Sequence, residues 1–354
     1  MRGGRGGGGI LPAMSVSLSR ALAFLALVPV AGCDLYLRGD SASDDTPGLP
    51  DASTVVPDAM DIDAGPPPID APPTPPPNPG FVTPTTTTRA NAFRNGQWTD
   101  VGPADWSCLI QPAVETVPAT GYTLGGTVRD FVTNQSVGGA SIAASALGQP
   151  LGSATAGTGG GTGGTRGVYR MDVAPLPNGA TRVRFTVGGM TTRRTISIDR
   201  YLGAAAMATL DLPLMSDTAI TSFPALVGEA ADATAGLVVG ELRDCQGRSV
   251  SGAIIALSTS SAFVAHWTGG VTYYFSAGNQ SLPVRHSQRT ETNSDGRFMI
   301  IDPEPMGGAE GTIQAWGFQT DADRATGALK PLGKSAAVVD SAAVSAVLIG
   351  RARG

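Results

Sequence analysis

The chain has 354 residues, 42% of them hydrophobic, with 24 basic and 29 acidic side chains, three cysteines and two histidines. That length suits two ordinary domains after a short leader. Nine of the acids lie between Asp34 and Gly80 against Arg38 alone, and beyond Gly80 acids and bases number 20 each. A neutral folded region excludes a nucleic-acid partner held by phosphate charge.

Residues 1–32 read as a secretory signal. Arg20 precedes the apolar run Ala21-Leu22-Ala23-Phe24-Leu25-Ala26-Leu27-Val28, which Pro29 interrupts before Val30-Ala31-Gly32-Cys33. A membrane span needs roughly 20 apolar residues, so this run is too short. Met14 is the expected start, because Met14-Ser-Val-Ser-Leu-Ser-Arg20 makes an ordinary charged leader. The Val-Ala-Gly-Cys ending resembles the lipobox of bacterial lipoproteins. The resemblance implies cleavage before Cys33, lipidation of Cys33 by acyl chains such as palmitate, and a membrane partner reached through that lipid. The expected location is the cell envelope, with the outer membrane or cell surface ahead of the inner membrane.

Residues 33–95 read as a disordered linker. Asp40 to Gly80 holds twelve prolines among aspartate, alanine and serine. Such a stretch has too little apolar surface to offset its ordering entropy. Proline keeps it extended, at ~3.1 Å per residue where polyproline II persists. Pro84-Thr-Thr-Thr-Thr-Arg89 continues this spacer, and ordered structure is expected from about Trp98 or Trp106.

Beyond that point short alternating runs dominate. Arg182-Val-Arg-Phe-Thr-Val187 and Thr195-Ile-Ser-Ile-Asp199 have period two, and turn residues separate them from similar runs at Phe298-Met-Ile-Ile301 and Thr312-Ile-Gln-Ala-Trp316. Without long amphipathic helical stretches, this pattern predicts an all-β fold of sandwich type. An internal repeat sets the number of modules. Gly126-Thr-Val-Arg-Asp130 and Ser136-Val-Gly-Gly-Ala140 return as Gly240-Glu-Leu-Arg-Asp244 and Ser249-Val-Ser-Gly-Ala253, and Gly167-Val-Tyr-Arg-Met171 parallels Asp295-Gly-Arg-Phe-Met299. The expected layout is a first β-sandwich over 96–215, a linker over 216–235 and a second β-sandwich over 236–354. Asp130 and Asp244 are expected to accept backbone hydrogen bonds in the turns that follow them.

The second copy resembles the carboxypeptidase regulatory-like domain through Gly240, Asp244, Gly247, Val250, Gly252, Ala253, Thr292, Asp295, Gly296 and Phe298. That family implies two tandem transthyretin-like sandwiches with a structural or adhesive role and no catalysis of their own. The lipobox, the Asp/Pro spacer, Trp106-Ser-Cys108-Leu and the tandem modules together resemble surface lipoproteins of the myxobacterial type.

Cys108 and Cys245 either form a disulfide or stand as two thiols. Arg182, Arg184, Arg193 and Arg194 offer a basic face, or an ordinary solvated one. Trp267, Tyr273, Tyr274 and Phe275 either stack on sugar rings at the surface or pack in a core. No cofactor and no metal are expected: Gly-x-Ser-x-Gly, His-Glu-x-x-His and Cys-x-x-Cys patterns do not occur. The loose P-loop pattern at Ala328-Leu-Lys-Pro-Leu-Gly333-Lys334-Ser335 lacks a preceding strand. One enzymatic alternative is an iron site of the intradiol dioxygenase kind, drawing on His266, Tyr273, Tyr274 and His286. The expected function is a membrane-anchored, non-enzymatic binding or structural lipoprotein whose partner is a polysaccharide or an envelope protein. The alternative is an accessory subunit that docks an envelope enzyme or transporter.

Overall fold

The computed structural model describes residues 82–109, 120–159, 165–180, 182–189, 192–199, 207–230, 235–259, 269–278, 281–303, 309–341 and 343–350. All of them fall in the unit spanning Asp70–Gly354. The signal segment 1–32 and Cys33 lie outside the described residues.

The described chain begins with an arm. Its strands β1 (Arg89–Arg94) and β2 (Gln97–Pro103) form a hairpin across Asn95-Gly96, both with positive φ (50° and 78°). A two-residue turn of this kind matches the right-handed twist of paired strands.

The first module follows, with β3 (Tyr122–Asp130), β4 (Ser141–Ala146), β5 (Gln149–Thr155), β6 (Val168–Val173), β7 (Val183–Gly189), β8 (Thr192–Asp199), β9 (Met207–Thr209) and β10 (Leu212–Leu214). One of its sheets runs β10-β3-β6, with β9 also on β3; the other runs β8-β7-β4-β5. Inward residues alternate along the strands: Ile142, Ala144 and Ala146 on β4 and Val183, Phe185 and Val187 on β7 meet Leu124, Val128, Tyr169 and Met171 in a closed core.

Helix α1 (Asp217–Val227) then leads to β11 (Leu237–Leu242), β12 (Ser249–Ser251), β13 (Ala253–Ser258), β14 (Gly269–Phe275), β15 (Pro283–Val284), β16 (Arg297–Pro303), β17 (Glu310–Gly317), α2 (Asp321–Thr326), β18 (Lys330–Val338) and β19 (Ala343–Ile349). This second module is also a sandwich. The strands β15-β14-β16-β11-β19 face the sheet β13-β17-β18 across a core of Leu242, Tyr274, Phe298, Ile300, Ile255, Leu257, Ile313 and Leu332.

The sequence repeat is a repeat of structure. β3 pairs antiparallel with β6, and β11 pairs antiparallel with β16. β4 and β7 correspond to β13 and β17, and β10 lies parallel to β3 as β19 lies parallel to β11. The repeated aspartates play one role: Asp130 Oδ1 accepts from the amides of Val132 and Thr133, and Asp244 Oδ1 from those of Gln246 and Arg248. Gly126 and Gly240 recur because backbone presses on both. A Cβ on Gly126 would lie 1.9 Å from the Leu210 carbonyl oxygen, and one on Gly240 would lie 2.6 Å from that of Val347.

The modules share one sheet. β19 pairs in parallel with β11 on one side and with β8 of the first module on the other, which joins both halves into nine strands in the order β15-β14-β16-β11-β19-β8-β7-β4-β5. A further core spans the junction. Phe131, Val132 and Met215 from the first module and Ala219, Ile220, Phe223 and Val227 of α1 cover Val239, Tyr273, Phe275, Met299 and Val344. Phe131 meets the Phe275 ring edge-on at 6.2 Å and lies under the Arg297 guanidinium at 5.1 Å.

Two expected boundaries are corrected by this arrangement. Residues 216–235 contain α1, whose apolar face is buried; Ser216 caps it and Gly228 ends it in the left-handed conformation, so this segment packs as part of the fold. The boundary at 96 falls inside the β1–β2 hairpin, which pairs through β1 with β12 of the second module.

Asp295 lies in the turn before β16, 1% exposed, accepting a hydroxyl hydrogen bond from Ser281 and an amide hydrogen bond from Arg297 at 3.2 Å. Burial pushes its carboxyl above the ordinary range, and Glu241 adds to this against the pull of those donors and of Arg297. A raised carboxyl stabilises the fold below its unfolded value of about 3.9, and that stability is lost as pH rises through the folded value. Asp295→Asn keeps both hydrogen-bonding partners within reach without the charge. Its urea midpoint relative to the parent is therefore expected to rise from pH 4 to pH 7; a difference that stays flat or falls refutes the assignment.

Candidate functional site

The arm is where the proline-rich segment gives way to the folded body, and its bonds define the site. Glu291, only 7% exposed, accepts from the Thr85 amide at 2.8 Å and from the Thr85 and Thr86 hydroxyls at 3.3 and 2.8 Å. The Thr87 hydroxyl donates to Asp321 Oδ1 at 2.5 Å, and the Thr88 amide donates to the Phe318 carbonyl at 2.9 Å. The four threonines thus occupy fixed places on the second module. Residues 85–95, expected as the end of the linker, are structured, because this run meets an acid placed to receive its donors.

The hairpin continues the seam. Arg89, Ala90 and Asn91 of β1 pair with Ser251, Val250 and Ser249 of β12. Past β2, Trp106 enters the second module's core, and its indole N–H donates to the Thr88 hydroxyl at 3.3 Å. Asp244 Oδ2 accepts from the Asp105 amide at 3.1 Å and from the Arg248 guanidinium at 2.5 Å, and the Cys245 amide donates to the Asp105 carbonyl at 2.9 Å. Cys108 and Cys245 are joined by a disulfide, with Cα atoms 5.7 Å apart.

Of the aromatics considered as ligand contacts, Trp267 lies outside the described residues. Tyr273, Tyr274 and Phe275 are 3%, 0% and 0% exposed, so they are core residues and do not present rings to a ligand. Their alternation on β14 sends Tyr274 into the core between the second module's sheets and Tyr273 and Phe275 into the core under α1. The Tyr274 hydroxyl accepts from the Ile255 amide at 3.0 Å, and the Tyr273 hydroxyl donates to Glu229. Burial first, then Glu229, raises the Tyr273 phenol well above its ordinary range. Two tyrosines on opposite faces of a sheet do not meet at one ion, which removes the iron alternative as drawn. His286 stacks flat on Tyr273, centroids 4.3 Å apart, with Nε2 2.8 Å from the Thr272 carbonyl oxygen; His266 lies outside the described residues. Among the described residues no three His, Cys, Asp or Glu side chains gather at metal-binding distance.

Three arginines of the first module turn toward the second. Arg182 and Arg184 reach Glu310 at 2.5 and 3.8 Å, and Arg194 reaches Asp340 at 3.4 Å. The Arg193 amide donates to Asp217 at 2.8 Å. Beside them the outer face of β4, β5 and β7 forms a shallow hollow lined by Ser141, Ser153, Thr155, Thr186 and Arg194 together with Ile142, Ala143, Ala154 and Gly188, and apolar atoms supply most of its wall. Alternation in the sequence places these hydroxyls outward, but only the sheet order brings them together.

Replacing Asp244 by Ala strips the Arg248 guanidinium and three amides of their buried acceptor. A loss of about 3–5 kcal/mol is expected in chemical unfolding, the range for breaking a buried ion pair. Glu291→Ala acts locally: the Thr85 amide is expected to exchange with solvent faster while β16 amides keep their protection. Unchanged Thr85 exchange would show that Glu291 does not hold the arm.

No family model and no curated protein matches the chain. Among solved structures it is similar to the shaft pilin SpaA from Lactobacillus rhamnosus GG, at 11% identity over 66% of this chain and 98% of that one, with a TM-score of 0.18. A streptococcal ancillary pilin matches at 13% identity over 75% and 74% of the two chains (TM-score 0.17), and the tandem Ig repeats of Dlar at 10% over 66% and 100% (TM-score 0.11).

Proposed function

We propose that the chain is a lipid-anchored, non-enzymatic binding or structural protein of the cell envelope, held from the membrane by Cys33 and a proline- and aspartate-rich tether. The carrying observation is the order along the chain. An apolar leader ends in Val30-Ala31-Gly32-Cys33, an acidic proline-rich segment follows, and the first described residues are bonded at once to the body. A chain attached at its leading end needs such a bonded arm, because whatever pulls on that segment pulls there. The paired modules, with Asp130 and Asp244 in equivalent turns, support the reading of two carboxypeptidase regulatory-like sandwiches.

The partner class is a polysaccharide or an envelope protein. The hollow beside Arg194, whose walls are mostly apolar with the hydroxyls of Ser141, Ser153, Thr155 and Thr186 among them, is open to such a ligand, whereas the aromatics of β14 are buried.

Expression of the full chain and of Cys33→Ala in a bacterium that processes lipoproteins tests the anchor. The parent is expected to incorporate labelled palmitate and to partition into the detergent phase. The variant is expected to lose the label and move to the aqueous phase. Detergent partitioning that survives the substitution overturns the anchor, and protease treatment of intact cells then decides surface exposure.

A further inference from the structure

The chain leaves the arm at Cys108, builds the whole first module, and returns to the second module just before Cys245. The first module, β3 to β10, therefore lies entirely inside the 137-residue separation that the Cys108–Cys245 bond closes. Residues 85–106 on one side of that loop are bound to the second module by Glu291, Asp321, the β1–β12 ladder and Trp106. On the other side, β12 to β19 follow Cys245 and make up the second module except for β11, which lies inside the loop together with α1.

We propose that the first module is a display domain shielded from tension. A pull between the leading segment and the carboxyl-terminal end passes through the arm, across the disulfide and along the second module. The covalent path bypasses residues 109–244, so such a pull has no means of extending β3 to β10 while the bond holds. The first module is held to β19, the strand at which the carboxyl-terminal pull enters, by the parallel β8–β19 pairing and the shared core under α1, so the load can part it from the second module but cannot draw out its chain. The hollow on β4, β5 and β7 lies within the closed loop, so its strands are not drawn out when the tether is pulled tight. The inference rests on the bond and the arm, and holds whether or not Cys33 carries a lipid.

Single-molecule pulling on the full chain tests it, with Cys33→Ala to remove the spare thiol and handles at the two ends. Under oxidising conditions the total contour length released is expected to omit the closed loop. With a phosphine reductant present, or in the Cys108→Ser/Cys245→Ser double variant, it is expected to grow by roughly 137 × 3.3–3.6 Å, about 450–490 Å. Equal release in the oxidised and reduced parent overturns the proposal, as do two titratable thiols in the unfolded, non-reduced chain. Should the double variant fail to fold, pulling the parent before and after reduction decides alone.

Discussion

Strand β19 is the constraint on which the architecture turns. Its Val344 to Ile349 pair with Leu237 to Leu242 of β11 on one edge, while its Ala343 to Ala346 pair with Arg194 to Ser197 of β8 on the other. One short strand thereby satisfies backbone groups of both modules, and removing it would expose an unpaired edge on each. Ala343, Ser345 and Ala346 are nearly solvent-free, so the seam is packed as tightly as the module interiors. The parallel direction is open to these strands because the whole second module separates β8 from β19, far more chain than a parallel crossover needs.

Duplication explains the internal logic and also its asymmetry. Both copies keep the aspartate turn, the crowded glycine and the same strand pairing, yet each uses its sheets differently. The first module gives up the β8 edge of its four-stranded sheet to the junction and closes β5 near β6, where the Ala174 amide donates to Leu151. The second adds β14 and β15 at its far edge and accepts the arm on β12. One inherited plan thus yields one module that holds the incoming chain and one that rides beside it.

Strand alternation was legible in the sequence, as were the repeat, the turn role of Asp130 and Asp244, and the all-β class, because each depends on local periodicity or residue type. The arm was not, although Asn95-Gly96 between Ala92-Phe93 and Gln97-Trp98 is a strong hairpin signal. Its proline- and threonine-rich approach masked it, and the acid that fixes Thr85 and Thr86 lies some two hundred positions away. The role of α1 was hidden for a related reason. Only 11 residues long and interrupted by Pro224, it has a buried face whose partners come from β14, β16 and the loop at Phe131. The β14 aromatics had two fates open to them, and tertiary packing on both faces of the sheet selected burial.

The charges between the modules are the weaker part of their union. Arg182, Arg184 and Arg194 keep side-chain exposures of 33%, 36% and 54% in their pairs with Glu310 and Asp340. Exposed pairs of this kind contribute about 0–1 kcal/mol each and fade as salt screens them. The strand pairing of β8 with β19 and the apolar contacts of Phe131, Met215 and α1 are not screened in this way. Backbone hydrogen bonds and buried carbon therefore set the register and stiffness of the junction, and the arginines add little to either. A junction so built keeps its geometry as ionic strength changes, whereas one held by exposed ion pairs alone would loosen as salt screens them.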